Sequence, residues 1–224
     1  MNLIEYPDSE MMMIDLANRI AGELSTCLLE HEWASLAVPG GTTPGPMFDT
    51  LSAADLDWHR VHILLTDERR VPPDHPRSNE RLVRERLLTG RAAAATFVRY
   101  VPSGVVASEA LGPLGQEVER ELPISILLLG MGADMHTASL FPGAPELDGA
   151  LAANAPPVAY ITPPDGELEP RLSLTGPVLS GAMATHVLIT GEEKRASIQK
   201  ARHLKPRDAP IATVLGTAMV HWAP

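Results

Sequence analysis

Four short apolar runs, none of them alternating with polar residues, recur along the chain. They are SLAV before Pro39-Gly40-Gly41, VHILL before Thr66 and Asp67, ISILLL before Gly130, and HVLI before Thr190 and Gly191. A strand buried on both faces has no polar face to show, so runs of this kind belong to a parallel sheet covered by helices. Helix-period stretches stand between them. From Ser9, the residues Met13, Leu16, Ala17, Ile20, Ala21, Leu24, Cys27 and Leu28 fall on one stripe. The stretch TTPGPMFDTLS is expected to be a helix capped by Thr43 with Pro44 in its first position, and SNERLVRERLL a helix capped by Ser78. Residues Gln116 to Glu121 read as a weaker helical stretch, and EEKRASIQKAR opens acidic and closes basic, as a helix dipole favours. VHILLTD, Val61 to Asp67, reads as one strand, and the proline-rich segment from Pro156 to Pro170 as a surface loop. No repeat and no break in composition divides the chain, so the expectation is one α/β domain over residues 1–224.

Composition narrows the function. Acidic residues outnumber basic ones by 28 to 18, a formal charge of −10, which opposes nucleic acid and anionic membranes as partners. Aromatic residues, at 4%, are too few for base-stacking surfaces. The single cysteine, Cys27, cannot form an intramolecular disulfide and suits a reducing compartment. The N-terminus has no basic and apolar signal-peptide pattern, and no apolar run is long enough for a bilayer. The expectation is a soluble cytoplasmic protein.

In an open parallel sheet, ligands bind beyond the carboxyl ends of the strands, and four unusual loops follow the strands here. PGGTTP offers a close backbone approach and free N–H groups at a helix start, yet it lacks the spacing and lysine of a nucleotide-binding P-loop. TDERRVPPDHPRSN places Asp67 at a strand end, with Arg69 and Arg70 within reach of the same cleft. A carboxylate beside guanidinium groups suits a substrate carrying hydroxyls and a phosphate. GMGADMHTASLFPG sets Gly130, Gly132, Asp134, His136, Thr137 and Ser139 behind the third strand. A histidine titrates near neutrality and, with a carboxylate two residues away, can act as general base or acid. No third ligand stands at a metal-binding spacing, so no metal is expected. Lys194 falls in the first turn of a helix, where the dipole disfavours it unless an anion compensates, and Arg171 adds a cation near a turn.

In this order the loops resemble the signatures of the 6-phosphogluconolactonase family. GGTTP is similar to its GGSTP loop, and the TDER…VP…P…SN pattern to its second signature. GMGADMHTASLFPG is similar to GMGxDGHTASLFPG, RLSLTGPVLSGA to its R-T-T-PVLNAA segment, and ITGEEK to its ITGxxK turn. The matches are collinear from about Val38 to Lys194. The resemblance implies a three-layer, Rossmann-like α/β fold with a mostly parallel sheet between helices, shared with glucosamine-6-phosphate deaminases and ribose-5-phosphate isomerases. It implies hydrolysis of 6-phospho-D-glucono-1,5-lactone to 6-phosphogluconate in the oxidative pentose phosphate pathway, with no required cofactor. The partner it implies is a small phosphorylated sugar lactone, and oligomeric state stays open.

On the same resemblance His136 is the general base, with Asp67 and Asp134 orienting it or the sugar hydroxyls. Arg69 and Lys194 hold the 6-phosphate, with N–H groups from Gly40, Gly41, Thr42 and Thr43. Gly130, Gly132 and Arg171 complete the substrate-binding set. One position departs from the family pattern: the glycine expected before the histidine is Met135. If that glycine serves a positive φ, Met135 is strained by ~1–3 kcal/mol. If it serves closeness to substrate, the methionine narrows or covers the pocket. Two rivals accompany this reading. A glucosamine-6-phosphate deaminase is expected to continue Asn-Glu-Pro after its histidine turn, where this chain has Ser139, Leu140, Phe141 and Pro142. A non-catalytic sugar-phosphate sensor would keep the pocket without turnover.

Overall fold

The computed structural model describes residues 1–100, 107–164 and 169–224, and of residues 107–110 the backbone. Strand β1 (Asn2–Glu5) leads into helix α1 (Ser9–Glu30), then β2 (Ala34–Val38), α2 (Gly45–Ser52), β3 (Val61–Leu65) and β4 (Asp67–Arg69). Next come helix α3 (Asn79–Arg86), the two-residue β5 (Thr96–Phe97), α4 (Ala107–Arg120) and β6 (Ile126–Leu129). The last part holds α5 (Leu147–Leu151), β7 (Val158–Ile161), β8 (Arg171–Leu174), α6 (Gly176–Ser180), β9 (Ala184–Thr190), α7 (Glu192–Ala201) and β10 (Met219–Ala223).

Seven strands form one sheet in the order β1-β10-β9-β6-β2-β3-β5, parallel at every pairing. Its centre explains the unbroken apolar runs, because β2 and β6 are buried at every residue. Helix α1 packs beside α2 and lies on β10, β2 and β6. Asp8 caps it, its carboxylate accepting from Met11 N at 2.8 Å. Met13, Leu16, Ala17, Ile20, Leu24 and Leu28 are buried as the stripe requires, and Ala21 and Cys27 are half-buried. Under α1 runs a chain of hydrogen-bonding side chains: Glu23 to His186 (2.7 Å), His186 to His221 (3.0 Å), His221 to Tyr6 (2.9 Å), and Tyr6 to Asp15 (2.6 Å). Burial and the adjacent His186 push the His221 imidazole down to about 3.

The structure corrects several expectations. The run Val61 to Asp67 is not one strand. Thr66 donates its N–H to Val38 O in the large sheet, while its carbonyl accepts from Leu174 N, so the chain changes sheets at this residue. The next strand, β4, is the edge of a three-stranded antiparallel sheet in the order β4-β8-β7. β7 lies inside the segment expected to be a loop, Pro156 to Pro170, of which residues 165–168 lie outside the described residues. Thr43 does not cap α2: Pro44 takes the cap position and no side chain bonds there. Ser78 does cap α3, accepting from Arg81 N at 3.2 Å. Helix α4 is longer than the stretch Gln116 to Glu121, because packing overrides the weak propensity of Gly112, Pro113 and Gly115.

Candidate active site

The loops after β2, β3, β6 and β9 meet at the carboxyl edge of the large sheet, and the small sheet closes one side. They enclose a cavity of about 380 Å³. Gly40, Gly41, Thr43, Asp67, Arg69, Gly130, Gly132, His136, Arg171 and Lys194 all line it, so the structure gathers most of the residues singled out in the sequence. Thr42 is exposed and does not line the cavity. Asp134 stands behind His136 rather than in the wall, and Arg70 lines a small recess next door.

His136 sits on a tight turn. Met135 N donates to Gly132 O and Gly132 N to His136 O, each at 3.0 Å. The turn requires a left-handed residue at position 135, where φ is 67°. Glycine adopts that conformation without strain, and methionine does not. The Met135 side chain is half-buried against the core and does not line the cavity, so of the two consequences foreseen for it the structure shows the first. Its carbonyl accepts from Ile211 N at 3.2 Å, which ties the turn to the 3₁₀ segment Pro210–Thr213.

The turn folds the imidazole back on its own loop. Asp134 Oδ1 lies 2.5 Å from His136 Nδ1 and also accepts from His136 N at 3.2 Å. Burial pushes the Asp134 carboxyl up, but the hydrogen bond and charge of His136 outweigh it and hold the group below the ordinary carboxylate range. An ionised Asp134 accepts only, so in the neutral ring Nδ1 carries the hydrogen and Nε2 keeps a free lone pair. Phe141 packs against the ring at a centroid distance of 4.6 Å. Gly132 leaves room for it: a Cβ there would stand 2.2 Å from His136 Cε1 and Nδ1.

The opposite wall comes from the small sheet, whose register sets Asp67 across from Ser173 and Arg69 across from Arg171. Two cations directly opposite each other are unfavourable in a sheet unless an anion joins them. Arg171 is 4% exposed, and its Nη1 has no hydrogen-bond partner among the described residues, with Glu169 Oε2 at 3.7 Å. Burial first, then the charge of Arg69, lowers its pKa from the guanidinium value. Arg77 pairs with Glu169 at 3.0 Å and also lines the cavity, as does Lys194 from the first turn of α7. Among the described residues, four cations thus face a cavity with Asp67 as its lining carboxylate, in a chain of net charge −10. The Asp67 carboxylate accepts from Ser139 Oγ at 2.6 Å and Thr66 Oγ1 at 3.1 Å, and neither oxygen bonds to His136.

Sequence reasoning named Ser139 within the histidine loop without giving it a role, and missed Arg77, Asn79 and Phe141 as lining residues. Arg77 sat inside a charged stretch that reads equally well as solvated surface, and Ser139 is placed by a strand pairing that no local pattern announces. Asn79 had a signal in the Ser-Asn that closes the second signature; in the structure its amide donates to Asp67 O at 2.8 Å and fills the space where a Cβ on Gly40 would stand, 1.8 Å from Asn79 Oδ1. The need for glycine at position 40 is therefore set by packing.

The family model described as glucosamine-6-phosphate isomerases/6-phosphogluconolactonase matches residues 7–222. The 6-phosphogluconolactonase of Rhizobium meliloti (strain 1021) is 35% identical over 230 residues, covering 100% of this chain and 98% of that protein. That of Caulobacter vibrioides is 40% identical over 182 residues, 80% of this chain and 78% of the other. The crystal structure of a 6-phosphogluconolactonase from Shewanella baltica OS155 superposes with a TM-score of 0.94 at 31% identity, covering 100% of this chain and 97% of that one. The loops, the parallel sheet that carries them and these similarities over nearly the whole length agree: the chain belongs to the glucosamine-6-phosphate isomerase/6-phosphogluconolactonase family.

Proposed function

We propose that this protein hydrolyses 6-phospho-D-glucono-1,5-lactone to 6-phosphogluconate in the cytoplasm, with His136 as general base. The observation that carries the reading is the pairing of His136 with Asp134 at a cavity faced by four cations. A buried guanidinium nitrogen at Arg171 without a partner among the described residues calls for an anion, and a phosphate ester supplies one. Arg69, Arg171 and Lys194 hold the 6-phosphate, together with N–H groups of the loop from Gly40 to Thr43. Asp67 and Ser139 present carboxylate and hydroxyl oxygens to the sugar hydroxyls.

In the reaction, Nε2 of His136 takes a proton from a water molecule as its oxygen bonds to the lactone C1. The C1–O5 bond then breaks, and the imidazolium returns the proton to O5 as it leaves. The new carboxylic acid ionises to solvent. Asp134 fixes the tautomer that leaves Nε2 free and balances the imidazolium charge during the reaction. A base so placed contributes ~10²–10⁴-fold.

The test measures hydrolysis of freshly generated lactone by wild-type protein, by His136→Ala and by buffer alone. Fast turnover that falls ~10²–10⁴-fold in the variant is expected. Folded wild-type protein that binds product yet gives no acceleration over buffer would refute the reading in favour of a sugar-phosphate sensor.

A further inference from the structure

Glu68 stands between two residues of the cavity wall, Asp67 and Arg69, yet does not line the cavity. It is 8% exposed, and all four acceptor positions of its carboxylate are filled. Oε1 accepts from Arg69 N at 2.7 Å and Asn79 N at 2.8 Å. Oε2 accepts from Glu80 N at 2.7 Å and Ser78 Oγ at 3.0 Å. These donors come from the two ends of a single excursion of the chain, from β4 at Arg69 to the start of α3. Asn79 and Glu80 open α3, and their N–H groups have no partner within the helix, so the carboxylate also meets the positive end of the helix dipole.

The excursion carries Arg69 and Arg77, and the Arg69 guanidinium donates to Arg77 O at 2.5 Å across it. At its end the Asn79 amide donates to Asp67 O and packs on Gly40. One carboxylate that touches nothing in the cavity thereby locks two cations and the neighbouring glycine loop in place. We propose that Glu68 is the positioning residue of the phosphate subsite, acting through Arg69 and Arg77 by closing the loop between them. This role rests on the proposed function, in which the arginines hold the phosphate.

Residue chemistry supports a function beyond fold stability. Burial pushes the Glu68 carboxyl up, outweighing the hydrogen bonds that stabilise its charge. The four donors oppose that shift by favouring the charged form, and together they fix the path of the loop. All four partners are donors, so only a carboxylate accepts from all of them. In Glu68→Gln one carboxylate oxygen becomes an NH₂ that faces at least one backbone N–H, so at least one of the four bonds is lost. The His136 turn lies on a different loop, so base catalysis is spared.

The experiment compares Glu68→Gln, Ser78→Ala and Arg69→Ala with wild type, measuring kcat and KM for the lactone and the inhibition constant of inorganic phosphate. Glu68→Gln is expected to raise KM and the phosphate constant together by about tenfold or more, with kcat within about threefold, as loss of uniform binding requires. Ser78→Ala removes one of the four bonds together with the cap of α3, and with thermal melting read beside it to separate the loss of the cap it is expected to raise both by about two- to fivefold; it decides the matter if Glu68→Gln does not fold. Unchanged KM and phosphate inhibition in these variants, while Arg69→Ala weakens both, would overturn the role of Glu68 and leave the arginine subsite intact. A fall in kcat at constant KM would equally overturn it. Unchanged phosphate inhibition in Arg69→Ala would instead sink the arginine reading, and this one with it.

Discussion

Gly132→Ala isolates the geometry of the proposed base, His136, from the cation wall of the site. A Cβ at this position would stand 2.2 Å from His136 Cε1 and Nδ1 and 2.6 Å from Asp134 Oδ1. Carbon atoms in contact rest at ~3.5–4.0 Å, so the ring must retreat by roughly 1.3 Å or more. The same displacement pulls Nδ1 from Asp134, where the separation is now 2.5 Å. The fold has little to lose. Gly132 is not at a positive φ, the residue is half-buried, and the His136 side chain is 30% exposed, so it can swing outward. A misplacement near 1 Å costs about 10²-fold, and complete loss of the base about 10²–10⁴-fold. That corresponds to roughly 3–5 kcal/mol of barrier. The assay is kcat and KM on fresh lactone beside His136→Ala, with thermal melting and the inhibition constant of the product. The expected result is a kcat close to that of His136→Ala, with product inhibition and melting temperature near wild type, because the cation wall is untouched. A folded Gly132→Ala protein that turns over at the wild-type rate would refute the reasoning, since the imidazole could then move from Asp134 without consequence.

Three further outcomes are expected. Met135→Gly should keep kcat and KM within about twofold: relief of ~1–2 kcal/mol of left-handed strain offsets lost thioether packing and added chain entropy, and a tenfold change in KM would mean the side chain reaches substrate. Arg171→Met should raise KM and weaken inhibition by inorganic phosphate while leaving kcat far less affected, and titration with phosphate checks it. Acid should weaken the fold through His221, whose folded pKa of about 3 lies below the unfolded value of about 6.5. The unfolded chain then binds the extra proton first, so stability is full above pH ~6.5 and declines as pH falls toward about 3. In His221→Gln that part of the slope should be absent in denaturant titrations at stepped pH, and an unchanged slope would assign it to other groups.

How far the sequence disclosed this arrangement depended on whether the signal was local. The parallel sheet was legible because residues buried on both faces leave an unbroken apolar run, and the helix stripe of α1 because its period sits within one segment. The His136 turn was legible for the same reason: Gly132, Asp134 and His136 act on one another within five residues. The antiparallel sheet was not. β4 is three residues long and all of them are charged, so it reads as the loop that follows an apolar strand, and β8 pairs with it from about a hundred residues away. Nothing near Thr66 in the sequence marks the change of sheet, because what makes it is a carbonyl taken by Leu174. That one pairing sets Arg171 opposite Arg69 and brings Ser173 toward Ser139, whose hydroxyl holds Asp67. The histidine turn of this site is therefore written in a short peptide, whereas the facing pair Arg69 and Arg171 exists only once two distant strands have found each other. Mutations that loosen β4 from β8 should accordingly weaken substrate binding before they disturb the turn that carries His136.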